Sequence, residues 1–276
     1  MKFATIFVLI AIGTSVVIGD HSEEQAIRLP LPKAINERFP WMINEPITNG
    51  ERIVGGENAS PGDAIYQIAL LRKDSFTCGG SLISSRTVLT AAHCVFGDEA
   101  SPSYFKIRYN TLDRTNGPTI GVSKIYRHSL YSSTTIDYDV ATLILSEPFT
   151  PSANADIISL TTAEPADNTQ LQLTGWGRLK SGGTIPTLLQ IATISKMSRT
   201  KCSNIWGSVN AITNRMLCAH SKKQSACNGD SGGPLVYNGH LVGVVSWGPS
   251  TCLSNTYPTI YSNVATLRNW IISNTV

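Results

Sequence analysis

Short apolar runs, many of them alternating with polar residues, recur along the chain from residue 53 onward. The runs read YQIALL, VLTAA, FKIRY, VATLIL, LQLTGW, LLQIATIS, PLVY and LVGVVSW, with Gly, Pro, Asn and Ser between them. Alternation with a period of two is typical of half-buried strands. The pattern therefore predicts an all-β domain, built either as a sandwich or as closed barrels.

Both ends of the chain depart from this pattern. Near the C-terminus, Val264, Leu267, Trp270 and Ile271 fall on one helical face, which predicts a final amphipathic helix. Residues 20–52 contain four prolines and no cysteine, and they show no sustained period. This stretch is expected to be an irregular leader rather than a domain.

The first 19 residues are typical of a signal peptide. Met1 and Lys2 precede the apolar run FATIFVLIAIGTSVVIG, which ends in small residues, so cleavage is expected near Gly19 or Asp20. A membrane anchor is the alternative, because the length is close to that of a span. The extreme N-terminal position favours removal, so we expect a secreted, extracellular protein without membrane attachment.

Composition narrows the class of protein further. The chain has 276 residues, a formal net charge of +3 and scattered Lys and Arg, without the basic stripe that nucleic-acid binding requires. That length supports one large β domain or two smaller ones. Six cysteines in an exported chain predict disulfides, although the count alone does not choose among the possible pairings.

The segment CNGDSGGPL, residues 227–235, carries the first candidate chemistry. A serine hydroxyl becomes nucleophilic only with a base in reach, and backbone N–H donors must face the developing oxyanion. Gly229 and Ser231 could supply those donors, with Ser231 as the nucleophile. Asp230 needs a positive partner if it is buried. The alternative for this motif alone is a glycine-rich turn with a solvated serine.

Candidates for a base and its orienting acid precede this motif in the chain. LTAAHCV places His93 after an apolar strand, and IDYDVATLIL places two acids before another. Asp137 and Asp139 are two residues apart and share a face of an extended chain, so alternation does not choose between them. The chain order His, Asp, Ser is that of the double-barrel serine proteases.

Six motifs resemble the chymotrypsin/trypsin family in order and separation: IVGG, LTAAHC, DVATLIL, GWG, CNGDSGGPL and VSWG. The resemblance runs from Ile53 to the C-terminal helix. It implies two antiparallel six-stranded β-barrels with the active site between them. It also implies His93 as the base, Asp139 as its orienter and Ser231 as the nucleophile. Asp137 then becomes a rim residue, and Tyr138 stands where the family usually has asparagine.

The same resemblance implies activation by cleavage. In this family a new apolar N-terminus inserts and pairs with the acid beside the nucleophile. GERIVGG offers Arg52 as the cleavage point and Ile53 as the new terminus, whose ammonium would neutralise Asp230. The leader, residues 20–52, then becomes an activation propeptide removed by an Arg-specific protease, and residues 53–276 form the peptidase domain. An unprocessed chain with a solvated Asp230 is the alternative.

The resemblance further implies a specificity pocket that opens towards large apolar side chains. Ser225 would form its base, where trypsin-like members carry Asp. Gly248 would leave one wall open, whereas Thr259 stands where Gly is usual and is associated with shallower, elastase-like pockets. We expect cleavage after Phe, Tyr or Leu, with an elastase-like preference for Ala and Val as the alternative.

Further positions complete the expected site. Asn228 would lie on the pocket rim, Ile136 would line the neighbouring subsite, and the backbone of Ser246, Trp247 and Gly248 would pair with substrate. Trp206 matches a Trp-Gly of chymotrypsin-type members, with plain core packing as the alternative reading for both tryptophans. The family's disulfides would be Cys78–Cys94, Cys202–Cys218 and Cys227–Cys252.

The remaining expectations concern partners and modification. We expect a digestive serine endopeptidase that acts on proteins and peptides as a monomer. We expect it to need no cofactor and no metal, since the calcium-loop stretch holds Asp113 as its one carboxylate. Asn58 lies in a glycosylation sequon, and His128, His220 and His240 are expected at the surface. Two stretches, WGSVNAIT and CNGDSGGPL, are similar to the chymotrypsin-like digestive allergens of mites. Protein inhibitors are further candidate partners, and a non-catalytic binding homologue is the competing function.

Overall fold

The computed structural model describes residues 53–276. The predicted signal peptide, residues 1–19, and the predicted propeptide, residues 20–52 with Arg52, lie outside the described residues. Within 53–276, no helix has the length and apolar character needed to cross a bilayer.

The first half of the described chain forms a closed antiparallel barrel of six strands, in the order β2-β3-β4-β7-β6-β5. Its interior is filled by aliphatic and aromatic side chains, among them the fully buried Ile68, Leu70, Phe105 and Leu143. The strands are β2 (Gln67–Arg72), β3 (Ser75–Leu82), β4 (Thr87–Thr90), β5 (Phe105–Arg108), β6 (Thr119–Arg127) and β7 (Ala141–Leu145).

The second half forms another six-stranded barrel, because β9 pairs with both β10 and β12 and so closes the path β10-β11-β14-β13-β12-β9. Two short strands, β1 (Glu57–Asn58) and β8 (Ser159–Leu160), pair with its outside. The barrel strands are β9 (Gln170–Gly175), β10 (Gln190–Met197), β11 (Met216–His220), β12 (Pro234–Tyr237), β13 (His240–Trp247) and β14 (Thr259–Asn263). The expectation of two six-stranded barrels is confirmed.

Two α-helices accompany the second barrel. Helix α1 (Arg199–Trp206) begins after Ser198, whose side chain accepts a hydrogen bond from the Lys201 N–H and caps the helix. The predicted C-terminal helix is α2 (Val264–Ser273), which buries Leu267 and Ile271 as its apolar face requires.

The two barrels approach closely where the glycine-rich motif lies. The Gly79 N–H on β3 donates to the Ser231 carbonyl at 2.8 Å, which joins the first barrel to a loop of the second. A Cβ on Gly79 would lie only 3.0 Å from the Gly233 Cα, so a side chain there would push the barrels apart. Because β4, β7 and this loop meet at the same junction, residues far apart in sequence form one cleft.

Candidate active site

The candidate base lies in a short 3-10 turn, Ala92–Cys94, that follows β4. The His93 Nδ1 is 2.8 Å from the Asp139 Oδ2, and the His93 backbone N–H donates to the Asp139 Oδ1 at 2.9 Å. A carboxylate facing Nδ1 favours the tautomer with the proton on that nitrogen, which leaves Nε2 free to accept a proton. The disulfide Cys78–Cys94 holds this turn to β3.

The acid at the mouth of β7 is fully buried and fully hydrogen-bonded. The Asp139 side chain has no exposed surface, and besides the two bonds from His93 its Oδ2 accepts from the Ser246 Oγ at 2.5 Å. The Ser262 Oγ donates to the Asp139 carbonyl at 2.7 Å. These donors satisfy a charge whose burial would otherwise be costly. Asp139, and not Asp137, therefore contacts the candidate base.

The candidate nucleophile lies in a tight loop between β11 and β12. The Asp230 N–H donates to the Cys227 carbonyl at 2.9 Å, and the Gly233 N–H donates to the Asp230 carbonyl at 2.8 Å. Gly229 has a φ of 101°, a region that favours glycine, and a Cβ there would crowd the Phe76 ring at 3.3 Å. The loop shape therefore depends on that glycine.

The N–H groups of Gly229 and Ser231 have no protein acceptor among residues 53–276. Two uncommitted donors in one loop can bind an oxyanion. Within the same residues, the Ser231 Oγ makes no hydrogen bond to His93. Catalytic hydrogen bonds of this kind often tighten only when substrate binds. Ser231 is half-buried, so its hydroxyl is accessible from the cleft.

Asp230 lies beneath this loop with no exposed surface. Its carboxylate accepts from the Gly177 N–H at 2.7 Å and from the Cys227 N–H at 2.9 Å, and burial raises its pKa to about 7. A Cβ on Gly175 or Gly177 would lie about 2 Å from this carboxylate, so both glycines are needed to admit it. Among residues 53–276, no Lys, Arg or His side chain forms an ion pair with Asp230.

The first described residues pack beside the same region. Ile53 is fully buried in an apolar cluster with Ala226 and Leu235. The Ser225 N–H donates to the Val54 carbonyl at 3.2 Å. Residues 53 and 54 are thus in direct contact with the segment that leads into the Ser231 loop.

A cavity of about 40 Å³ opens beside Ser231. A single water molecule needs about 10–15 Å³ of such space, so the cavity is small. Its lining includes no acidic or basic side chain: Ala226, Cys227, Asn228, Ser231, Val245, Ser246, Trp247, Gly248, Pro249, Cys252 and Thr259.

Thr259 lines this cavity and contacts Ser225, the residue expected at the base of the pocket. Its Oγ1 lies 3.0 Å from the Ser225 Oγ, and both residues are more than 90% buried. Ser225, expected to form the floor of the specificity pocket, is therefore in contact with Thr259. It is not among the residues that line the cavity. A Cβ on Gly248 would lie 3.4 Å from the Thr259 Cα, so the two wall residues face each other across a narrow gap.

The remaining expected pocket residues support the walls. Trp206 is 3% exposed, donates from Nε1 to the Pro258 carbonyl at 3.0 Å, and packs edge-on against Trp247 at 5.0 Å. It belongs to the core behind the pocket and does not line it. Ile136 is 2% exposed in the same cluster. Asn228, expected on the rim, is exposed and lines the cavity.

The six cysteines form the pairs that the resemblance implies, Cys78–Cys94, Cys202–Cys218 and Cys227–Cys252. Among residues 53–276, the one grouping of three possible metal ligands is Cys78, His93 and Cys94. Both sulfurs of that grouping are committed to the disulfide, so they offer no thiolate to a metal.

Asn58, the residue of the glycosylation sequon, is exposed on β1, and its side-chain oxygen accepts a hydrogen bond from the Gln190 Nε2 at 2.9 Å.

One sequence-based expectation is wrong. His128 is 7% exposed and not a surface residue, because its ring packs against Tyr138 at 4.5 Å and Trp270 at 4.9 Å. Burial lowers the pKa of the His128 imidazole below its usual value. Asp137, expected as a rim residue, forms an ion pair with Arg215 through its carboxylate.

Sequence reasoning also missed two residues of the site. Ser262 and Arg215 contact the acid-bearing segment from the second barrel. Neither stands in a motif, and both lie more than 70 positions from the residues they contact. No signal in a single sequence would have identified them.

Comparison with known proteins agrees with this geometry. The trypsin family model matches residues 53–271. Trypsin alpha-4 of Lucilia cuprina is 40% identical over 224 residues, covering 80% of this chain and 87% of that protein. Trypsin Blo t 3 of Blomia tropicalis is 43% identical over 228 residues, covering 79% of this chain and 84% of that protein. The chain belongs to the trypsin family and is a serine endopeptidase.

Proposed function

We propose that the protein is a secreted digestive endopeptidase that hydrolyses peptide bonds through His93, Asp139 and Ser231. The observation that carries this proposal is the 2.8 Å contact between the His93 Nδ1 and the buried Asp139, at the junction with the Ser231 loop. That contact orients the imidazole so that Nε2 faces outward as a base.

The reaction then follows from these positions. The His93 Nε2 takes the proton of the Ser231 hydroxyl as its oxygen attacks the substrate carbonyl. The N–H groups of Gly229 and Ser231 stabilise the resulting oxyanion. His93 returns the proton to the leaving amine, which departs and leaves an acyl group on Ser231. Water, deprotonated by the same imidazole, releases the acid and restores the serine.

We propose cleavage after apolar residues, with Leu favoured and Phe and Tyr accepted. A Lys or Arg side chain entering the cavity would lose hydration without meeting a counter-charge, which costs several kcal/mol. The proposed cleavage after apolar residues therefore differs from the specificity that the name trypsin, carried by its relatives, suggests. Thr259 favours Leu over the aromatic residues, because it shortens the cavity.

A second candidate is an elastase-like preference for Ala and Val. It is favoured by the narrow gap between Gly248 and Thr259. The two candidates differ in the ranking of kcat/KM on otherwise identical peptides with Leu, Phe, Ala or Arg before the cleaved bond. Leu first supports the proposal, Ala first supports the elastase-like candidate, and Arg first contradicts both.

We propose that the enzyme is made as a zymogen and activated by an Arg-specific protease that cuts between Arg52 and Ile53. The cut would place an ammonium on Ile53, which is already buried beside the segment that carries the pocket. Asp230 is buried with only neutral donors, so an ammonium nearby would stabilise its charged form. The Val54–Ser225 hydrogen bond would couple the inserted terminus to the pocket.

The test of this function is proteolysis by the recombinant full chain before and after limited treatment with trypsin, followed by trypsin inhibition. We expect casein hydrolysis only after treatment, and a loss of about 10⁶ in kcat for Ser231→Ala, because nucleophile and base act as a unit. A Ser231→Ala protein with near-normal turnover would contradict the assignment.

A further inference from the structure

The segment that carries Asp139 has an unusual backbone. Ile136 and Tyr138 have φ values of 53° and 56°, a left-handed region that bulky residues rarely adopt. The Val140 N–H donates to the Tyr138 carbonyl at 2.8 Å, which closes a tight turn with Asp139 at its centre. A turn of this kind persists only where surrounding structure holds it in place.

That support comes from the second barrel. The Arg215 guanidinium donates to the Asp137 carboxylate from Nε at 2.9 Å and from Nη2 at 2.5 Å, and the Thr213 hydroxyl donates to it at 3.1 Å. The side chains of Arg215 and Asp137 are 23% and 13% exposed. Burial raises the pKa of Asp137, but the hydrogen bonds from Arg215, the Tyr138 N–H and Thr213, together with the Arg215 charge, outweigh burial and keep that pKa below its usual value. A bidentate pair of this kind fixes direction as well as distance.

Tyr138 adds an aromatic contact to the same pair. The Arg215 guanidinium lies 4.3 Å from the centre of the Tyr138 ring, within the range of a cation–π interaction. His128 packs against Tyr138 at 4.5 Å and against Trp270 of α2 at 4.9 Å. One guanidinium therefore contacts both residues that precede Asp139.

We propose that Asp137, Tyr138 and Arg215 form a clamp between the barrels that positions Asp139 for the reaction. The proposal rests on the proposed function, because it assigns a positioning role around the same triad. His93 and Asp139 belong to the first barrel, whereas Ser231 belongs to the second. A fixed link two residues from Asp139 therefore sets the alignment of base and nucleophile, and a displacement of about 1 Å can cost about 100-fold in rate.

The test is Arg215→Gln in the activated full-length enzyme, which removes the charge and the bidentate geometry. We expect kcat to fall about 10- to 100-fold with KM changed less than about threefold, since the substrate pocket is untouched. Arg215→Lys, which restores the charge without the two-pronged geometry, should recover part of kcat. The low-field proton resonance of the His93 Nδ1–H should shift or broaden in Arg215→Gln, a change that simple destabilisation does not produce.

The matched control is Arg199→Gln. Arg199 forms an ion pair with Glu164 within the second barrel, with side chains 37% and 26% exposed. We expect the control to keep wild-type kcat and the wild-type resonance. Should Arg215→Gln fail to fold, Asp137→Asn keeps the side-chain size and weakens the same link, and it should show the same loss in kcat.

The outcomes separate the clamp from the proposed function. A folded Arg215→Gln enzyme with wild-type kcat and an unchanged His93 resonance would overturn the clamp and leave the triad intact. An equal loss of kcat in Arg199→Gln would also overturn it, because the effect would then be one of general stability. A wild-type enzyme that stays inactive after cleavage at Arg52 would instead overturn the proposed function.

Discussion

Thr259 is the residue whose replacement tests the pocket most sharply. Its hydroxyl covers Ser225 at 3.0 Å, and its Cα would contact a side chain placed on Gly248 at 3.4 Å. Thr259→Gly removes three heavy atoms, two of them carbons, from the lining of the cavity. An aromatic side chain could then reach deeper and bury the volume that those atoms occupied.

The expected gain in kcat/KM for an aromatic substrate follows from the two carbons that Thr259→Gly removes. Each buried methylene is worth about 0.8 kcal/mol, so a ring that fills the vacated space gains about 1.6 kcal/mol. That is roughly 15-fold in kcat/KM, because about 1.4 kcal/mol corresponds to tenfold. Ala does not reach this depth, so its kcat/KM should stay nearly constant. Glycine at the start of β14 also lowers stability by about 0.5–1 kcal/mol.

The assay compares kcat/KM on paired peptides that differ only in Phe or Ala before the cleaved bond. The control is Thr259→Ser, which keeps the hydroxyl beside Ser225 and removes one methyl, so the Phe/Ala ratio should rise only about fourfold. An unchanged or lower Phe/Ala ratio in a folded Thr259→Gly enzyme would refute the reasoning that Thr259 limits pocket depth.

Three further predictions concern activation. Arg52→Gln should yield a secreted chain that trypsin does not activate, and full activity with an intact leader would contradict the proposed cut. The activated enzyme should lose activity at alkaline pH as the Ile53 ammonium loses its proton. The pKa of a free α-amino group is about 8, and a buried carboxylate beside it raises that pKa. A pH profile of activity that stays flat to about pH 11 would exclude that pairing. In the uncut chain, the raised pKa of Asp230 means that the folded state binds this proton more tightly than the unfolded state. Denaturant titrations should therefore show stability falling as pH rises from about 4 to about 7, more steeply than in Asp230→Asn, and identical slopes would be the contrary result.

The sequence predicted eight of the twelve barrel strands, and two of the four missed strands have a clear physical reason. Strand β6 places Ile120, Val122 and Ile125 inward, but a register shift between Val122 and Lys124 breaks the two-residue period. Strand β3 contains a Cys-Gly-Gly segment that lacks the bulky apolar residues of a strand pattern. Bulges, and glycines at places where backbones approach closely, are determined by tertiary contacts, so they leave no periodic pattern in the sequence.

In the candidate site too, the sequence indicated the motif residues but not the contacts between distant segments. The motifs indicated His93, Asp139 and Ser231, because their chemistry needs fixed neighbours along the chain. The burial of His128 and the pairing of Asp137 depend on partners from distant segments. The proposed limit on pocket depth rests on a hydroxyl pair between Ser225 and Thr259, which are 34 positions apart. Such contacts arise only when the two barrels are closed and packed together.

The most direct test of the central claim is to locate the nucleophile chemically. The activated chain is treated with a fluorophosphonate, which phosphonylates activated serines, and then analysed by intact mass and by sequencing of the modified peptide. One adduct per molecule, on Ser231, is expected in the activated enzyme, with none in Ser231→Ala and far slower modification of the uncut chain. An adduct on another residue, or an active enzyme that takes up no phosphonate, would contradict the account.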